Sequence, residues 1–323
     1  MIHEFVHPSL TATAELIKSK RSICLLNPNK PDGDSIGSAL SLYRALESLG
    51  KDVRLFCPVQ ISDKYDFIYG QEHFKDDLKR ALDVDLLVSF DFAEIDGFDI
   101  TRSDLDARQL QLINIDHHIT NTHFGDLNFV DPSSSACCEM VYYLIRELEL
   151  DIDIEIATAL FTGLSTDTGS FKHSNTTPRV LSVASNLLAR GARLKRISDD
   201  IYQTKSVASL KMWGKALERL KFEPDRSLAV SFITQDDFDE TGADLNDLEG
   251  AISLLSCIPG SRATLLLSEY SGKIKGSIRT EEEEVDVSRL AGQFSGGGHK
   301  KASGFTLDGR IVRQRAGWKI VLN

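Results

Sequence analysis

The sequence has no uninterrupted apolar run near the roughly 18 residues that a membrane-crossing helix needs. Its first residues, Met1-Ile2-His3-Glu4-Phe5-Val6-His7, carry neither a basic start nor an apolar signal core. The expected location is therefore the cytoplasm, away from membranes. Paired cysteines are lacking too. The five present (Cys24, Cys57, Cys137, Cys138 and Cys257) are odd in number and show no metal-finger spacing. Cys24 and Cys57 sit in apolar, strand-like runs and read as small hydrophobes in a reducing compartment. Positive charge is short: Lys and Arg total 37 against 48 Asp and Glu, for a net charge of −11. That balance argues against a protein that grips long nucleic acid by its phosphates, long duplexes included. A short anionic substrate stays compatible, because bound cations neutralise part of an acidic set. No internal repeat or low-complexity tract appears beyond the acidic run 281–284, which reads as a solvated loop.

What is present points to two globular domains. The chain has 323 residues, too many for one ordinary core, and 41% hydrophobic with 26% charged residues marks it as folded. Strand-like runs at 23–26, 53–57, 84–90 and 112–115 alternate with helical periodicity. Ile36, Leu40, Tyr43, Leu46 and Leu49 show that periodicity, with Gly50 closing the helix. Helices are predicted over 136–150, 154–164, 177–189 and, in pieces, 194–220. Strands alternating with helices predict an α/β fold with a doubly wound parallel sheet. Farther on, strands at 227–233, 263–267, 273–278 and 304–307 with helices at 245–255 and 287–294 predict a smaller α+β domain. The expected division is 1–190, a helical connector over 191–222, and 223–323.

Several polar residues closely follow the strand candidates. Pro31-Asp32-Gly33-Asp34 reads as a tight turn, Gly33 permitting two carboxylates to point one way. Gly37-Ser38 beyond it lets a helix start close to phosphate. Asp91 follows one strand and Asp116-His117-His118 another, and Asp167-Thr168-Gly169 reads as a turn between helices. Taken singly, these fit an acidic turn, a helix cap and a pair of structural histidines. Taken together, the strand-end residues fall on one sheet rim, where open α/β sheets bind ligands. Carboxylates with imidazoles suit a pair of divalent cations engaged in phosphate chemistry. Near the other end, Gly296-Gly297-Gly298-His299 reads as a loop for phosphate or close backbone approach, and Arg279 on its own as a surface charge.

These motifs, in this order, resemble the DHH/DHHA1 phosphoesterases, specifically the branch of nanoRNases and pAp phosphatases. The resemblance spans essentially the whole chain. It rests on 31–38, Asp91, Asp116-His117-His118, 166–169 and 296–299, with 124–128 and 130–132 also similar. It implies a DHH domain followed by a DHHA1 domain and two manganese ions, with magnesium as the alternative. Asp34, Asp91, His117 and Asp167 would hold one ion; Asp32 and Asp91 would contribute to the other, Asp91 bridging. His118 would contact the scissile phosphate. Arg279, His299 and the Gly297-Gly298 backbone would hold the substrate's terminal phosphate or nucleotide, so that the small domain measures length.

One position departs from the family pattern. A histidine usually stands four residues before the first motif aspartate, and here that residue is Pro28. Asn27 or Asn29 offers an amide oxygen nearby, and sequence does not choose between them. The implied substrates are short oligoribonucleotides, linear dinucleotides such as pApA, and 3′-phosphoadenosine 5′-phosphate, hydrolysed by an enzyme that can also be a homodimer. Two alternatives stand beside this: a pyrophosphatase or exopolyphosphatase-like hydrolase, and a nucleotide-binding protein weakened in catalysis by Pro28.

Overall fold

The computed structural model describes residues 7–95, 100–203, 205–314 and 317–322. The chain divides into two compact units, Met1–Gln203 and Thr204–Asn323. The 191–222 stretch falls on both sides of that division.

The first unit runs α1 (Pro8–Ser19), β1 (Ser22–Leu26), α2 (Gly33–Glu47), β2 (Asp52–Phe56), β3 (Phe74–Lys75), α3 (Leu78–Ala81), β4 (Leu86–Phe90), α4 (Arg102–Arg108), β5 (Gln111–Asp116) and β6 (Leu127–Val130). Four helices follow: α5 (Cys137–Glu147), α6 (Ile154–Asp167), α7 (Pro178–Ala189) and α8 (Leu194–Ile197). The six strands form one sheet in the order β3-β2-β1-β4-β5-β6, and every pairing is parallel. Both faces are covered, as the predicted doubly wound sheet requires. Along β1, Ile23 and Leu25 pack into the layer of α1, α2, α5, α6 and α7. Cys24 and Leu26 pack into the opposite layer with Ala81 of α3 and Leu105 of α4. A strand buried on both sides has no polar face, which is why β1 and β4 read as mostly apolar runs.

Close helix packing sets the position of α2. A side chain at Gly37 would meet the Ala159 carbonyl at 2.4 Å, and one at Gly163 would meet Cys138 Sγ at 2.3 Å. Gly33 lies against Thr166, with a virtual Cβ 2.5 Å from its Oγ1. The expected tight turn at 31–34 is therefore corrected. Asp32 is the N-cap of α2, and Gly33 and Asp34 are its first helical residues. Gly33 is glycine because α2 crowds α6, not because the backbone turns left-handed.

The second unit runs α9 (Val207–Glu218), β7 (Lys221–Glu223), β8 (Leu228–Ile233), α10 (Gln235–Thr241), α11 (Ala251–Leu255), β9 (Ala263–Tyr270), β10 (Lys273–Arg279), α12 (Val287–Gly292), β11 (Gly297–His299), β12 (Ala302–Gln314) and β13 (Gly317–Leu322). Its sheet has the order β11-β12-β10-β9-β8-β7, with β13 on β12. Only β8 and β9 pair in parallel, so the sheet is mixed, as an α+β domain predicts. Two expectations change here. The strand predicted at 304–307 runs over Ala302–Gln314, and the helix predicted over 245–255 is broken at Gly250, whose φ is 88°.

Candidate active site

The carboxyl rim of the first sheet collects the predicted residues. β4 ends at Phe90, and Asp91 turns away with its N–H donating to the Ile115 carbonyl at 3.0 Å. Its φ of 64° places a non-glycine residue in the left-handed region, at a cost of about 1–3 kcal/mol. That twist sets its carboxylate beside the residues leaving β5. Asp91 Oδ1 lies 3.6 Å from His117 Nε2 and 3.3 Å from His118 Nδ1. It is buried without a hydrogen-bond partner among the described residues. Asp167, in the last turn of α6 rather than in a turn beyond it, brings Oδ2 to 3.0 Å from His117 Nε2. Asp34, Asp91, His117 and Cys137 each offer a donor atom within 4.8 Å of the others.

A second layer of contacts orients this set. Helix α5 begins after Ala136, which has no side chain to cap it. Asp34 supplies the cap from α2, accepting from Cys137 N at 2.6 Å and Cys138 N at 2.8 Å. Asp32 uses Oδ1 to cap its own helix, accepting from Asp34 N and Ser35 N at 3.0 Å each. Asp116 is fully buried. Its Oδ1 accepts from His117 N at 2.8 Å and His118 N at 3.2 Å, and pairs with His118 Nδ1 at 2.7 Å. Asn121 donates to its other oxygen. Behind Asp167, the ring of His173 and the amide of Asn175 each reach its carbonyl at 3.3 Å.

The electrostatics show a cluster that holds more negative charge than its own surroundings support. Burial, then the Asp91 and Asp167 charges, push the Asp32 carboxyl up to about 7. Burial, with Asp167 and Asp91 beside it, raises Asp34 well above the carboxylate range. Asp167 is raised by burial despite its bond to His117. Burial pulls the His117 imidazole down, yet the hydrogen bond to Asp167 and the nearby Asp91 and Asp34 carboxylates outweigh it and hold it at about 12. The hydrogen bond to Asp116 raises His118. Crowded carboxylates, a buried acceptor without a donor, and two imidazoles at contact range together fit divalent cations.

In the second unit the predicted residues meet across one sheet. Arg279 pairs with Ala302 across β10 and β12, and Ala302 pairs with His299 across β12 and β11. Arg279, Ala302 and His299 thus stand in one row. The Arg279 side chain makes no hydrogen bond or ion pair among the described residues. The predicted glycine loop is corrected to a strand, β11, and its glycines differ in purpose. A side chain at Gly296 would meet the Gly304 carbonyl at 2.2 Å, and one at Gly298 the Ala302 carbonyl at 2.6 Å. Gly298 also has a φ of 136°. A side chain at Gly297 would meet nothing within 4 Å.

The rim therefore unites Asp34, Asp91, His117 and Asp167, puts His118 beside Asp91, and leaves Asp32 coupled to the group by charge. Asn121 and Cys137 escaped the sequence reading as contributors, whereas Asp116 was read there as one of the strand-end carboxylates. Asp116 was in view but undistinguished from its neighbours, and nothing in the local sequence marks Asn121 as its partner.

Comparison with known proteins gives the chain a family. The model of the DHH family, N-terminal domain, matches residues 22–164, and that of the DHHA1 domain matches residues 225–316. A bifunctional oligoribonuclease and PAP phosphatase NrnA of Thermus thermophilus is 34% identical over 310 residues, covering 93% of this chain and 89% of the relative. The Bacillus subtilis protein of the same description is 26% identical, covering 86% of this chain and 87% of its own. An exopolyphosphatase-related protein from Bacteroides fragilis superposes with a TM-score of 0.87 at 26% identity, over 94% of this chain and 92% of that one. No helix among the described residues is long and apolar enough to cross a membrane.

Proposed function

The chain belongs to the DHH family of metal-dependent phosphoesterases with a DHHA1 domain, and from that premise we propose that it hydrolyses short oligoribonucleotides, linear dinucleotides such as pApA, and 3′-phosphoadenosine 5′-phosphate. The observation that carries the proposal is the convergence of Asp34, Asp91, His117 and Asp167 on one sheet rim, with a buried Asp91 oxygen left unmatched. The described activities of the Thermus and Bacillus relatives supply the substrate class.

Asp34, Asp91, His117 and Asp167 hold one divalent cation, and Asp32 and Asp91 contribute to a second. Oxygen donors mixed with an imidazole favour manganese over magnesium, which is better served by oxygen alone. When bound, such cations lower the pKa of the attacking water and neutralise charge on the phosphoryl oxygens. The chain's own part is positioning and protonation. Asp116 fixes the His118 ring through Nδ1 and sustains its positive charge, so Nε2 presents a proton to an oxygen of the scissile phosphate. In the second unit, Arg279 meets the substrate's terminal phosphate with a planar fork of donors. His299 and the Gly297-Gly298 backbone complete that contact.

The test is a comparative assay with manganese on pApA, a pentanucleotide, long RNA, 3′-phosphoadenosine 5′-phosphate and pyrophosphate. Turnover of the short nucleotides, absent in Asp167→Ala, supports the proposal. Faster turnover of pyrophosphate, or binding of nucleotides without any manganese-dependent product, overturns it.

A further inference from the structure

Pro28 occupies the position at which the family pattern places a ligating imidazole, and the residue before it is buried without explanation. Asn27 is fully buried. Neither its Oδ1 nor its Nδ2 has a hydrogen-bond partner among the described residues. A primary amide can satisfy two acceptor and two donor sites, and burying all of them unmatched is costly. The other candidate amide, Asn29, is exposed.

Backbone register indicates where the Asn27 side chain points. Its N–H donates to the Phe56 carbonyl at 2.9 Å, so the pairing of β1 with β2 continues one residue past Leu26. Side chains therefore keep alternating. Ile23 and Leu25 lie in the layer of α2, α5 and α6, and Cys24 and Leu26 lie in the opposite one. Asn27 takes the first of these, the layer in which α2 starts with Asp32 and Asp34 and α6 ends with Asp167. Leu26 is paired with Ser89 of β4. Asn27 is thus level with Phe90, one residue short of Asp91.

We propose that Asn27 is a metal ligand, its Oδ1 donating to the cation that Asp32 and Asp91 share, in place of the imidazole that Pro28 cannot supply. The proposal rests on the two-cation reading above. It accounts for a buried amide with no other partner. A neutral amide oxygen is also a weaker donor to manganese than an imidazole, so this cation is held less tightly than the one at His117.

The experiment titrates manganese into the metal-free, full-length protein, counting free ion by electron paramagnetic resonance. The wild type takes up two ions of unequal affinity. Asn27→Leu, nearly isosteric and apolar, raises the weaker dissociation constant at least tenfold and moves the tighter one less than twofold. The metal-free melting temperature holds or rises, because leucine removes the unmatched amide. Asn27→Asp keeps both sites and tightens the weaker one, a readout that survives if the leucine variant fails to fold. Two wild-type sites left unchanged by either substitution overturn the role of Asn27 alone. A wild type that takes up one ion or none overturns the two-cation reading itself.

Discussion

The two units build their candidate sites in opposite ways. At the rim of the first sheet, function comes from too much side chain: buried carboxylates and imidazoles press on one another until their ionisation is distorted. On the second sheet it comes from too little. Gly296 and Gly298 let β11 lie against β12, and Arg279, whose side chain has no ion pair among the described residues, stands in the adjoining row. The first arrangement stores electrostatic tension that a cation relieves, and the second leaves donors open to an anion. A crowded acidic site suits chemistry at phosphorus, whereas an open donor row suits holding a phosphate.

The sharpest way to break that contrast is Asp167→Ala. Loss of a cation's charge neutralisation costs several kcal/mol in the transition state, so pApA hydrolysis falls by about a thousand-fold. The metal-free melting temperature stays level or rises, since one of several repelling carboxylates is gone. A fall in stability matching the fall in rate, seen by calorimetry, would show that the rim is not strained.

The second unit holds a buried carboxylate that is matched by cations instead of crowded by other acids. Asp237 is buried, bonded to Arg219 and Lys215, and caps α10 through Thr234. Burial raises its pKa, but these partners outweigh it and hold the carboxyl well below the usual range. Its contribution is therefore complete above the unfolded carboxylate value of about 3.9 and is lost as pH falls below that toward the depressed native value. Asp237→Ala should destabilise the second unit by about 3–5 kcal/mol, while manganese titration of the whole chain is unchanged. The measurement is thermal unfolding at pH 7 and pH 3, with the difference between variant and wild type shrinking at the lower pH.

A smaller effect separates holding from chemistry. Arg279→Ala removes a charged hydrogen-bonding group worth about 1.5–3 kcal/mol. KM for pApA should rise about 10-fold to 100-fold with kcat nearly kept, whereas Asp116→Asn should lower kcat about 10-fold to 100-fold with KM nearly kept. Steady-state kinetics that exchange these two signatures would exchange the roles of the units. The mildest test is within the glycines. Gly298→Ala meets backbone and a strained φ and should cost about 1–3 kcal/mol, but Gly297→Ala, in open space, should leave melting unchanged.

The sequence made four of the first sheet's six strands legible, β3 and β6 escaping it, because strands buried on both faces leave long apolar runs, and Asp91 and Asp116 sit where those runs stop. The second sheet was harder to read. β11 is built of glycines, which carry no strand signal, and β12 alternates too weakly to show its length. Gly33, Gly37 and Gly163 answer to neighbours far away in sequence, so helix crowding stayed out of sight. The division of labour among aspartates was also hidden. Nothing local distinguishes Asp91, whose Oδ1 lies beside both imidazoles, from Asp116, which faces a ring and an amide. The burial of Asn27, rather than of Asn29, depends on one residue of strand pairing beyond Leu26.

Because Asp34 caps α5, its carboxylate serves the fold whether or not the protein turns over any substrate. A descendant that lost activity would remain under pressure to keep it, since α5 begins at a residue with nothing of its own to offer the exposed amides. Asp167 carries no such obligation. Among related chains, an aspartate at the position of Asp34 is weak testimony to an active enzyme, and the residue closing α6 is the one that would record whether activity has been abandoned.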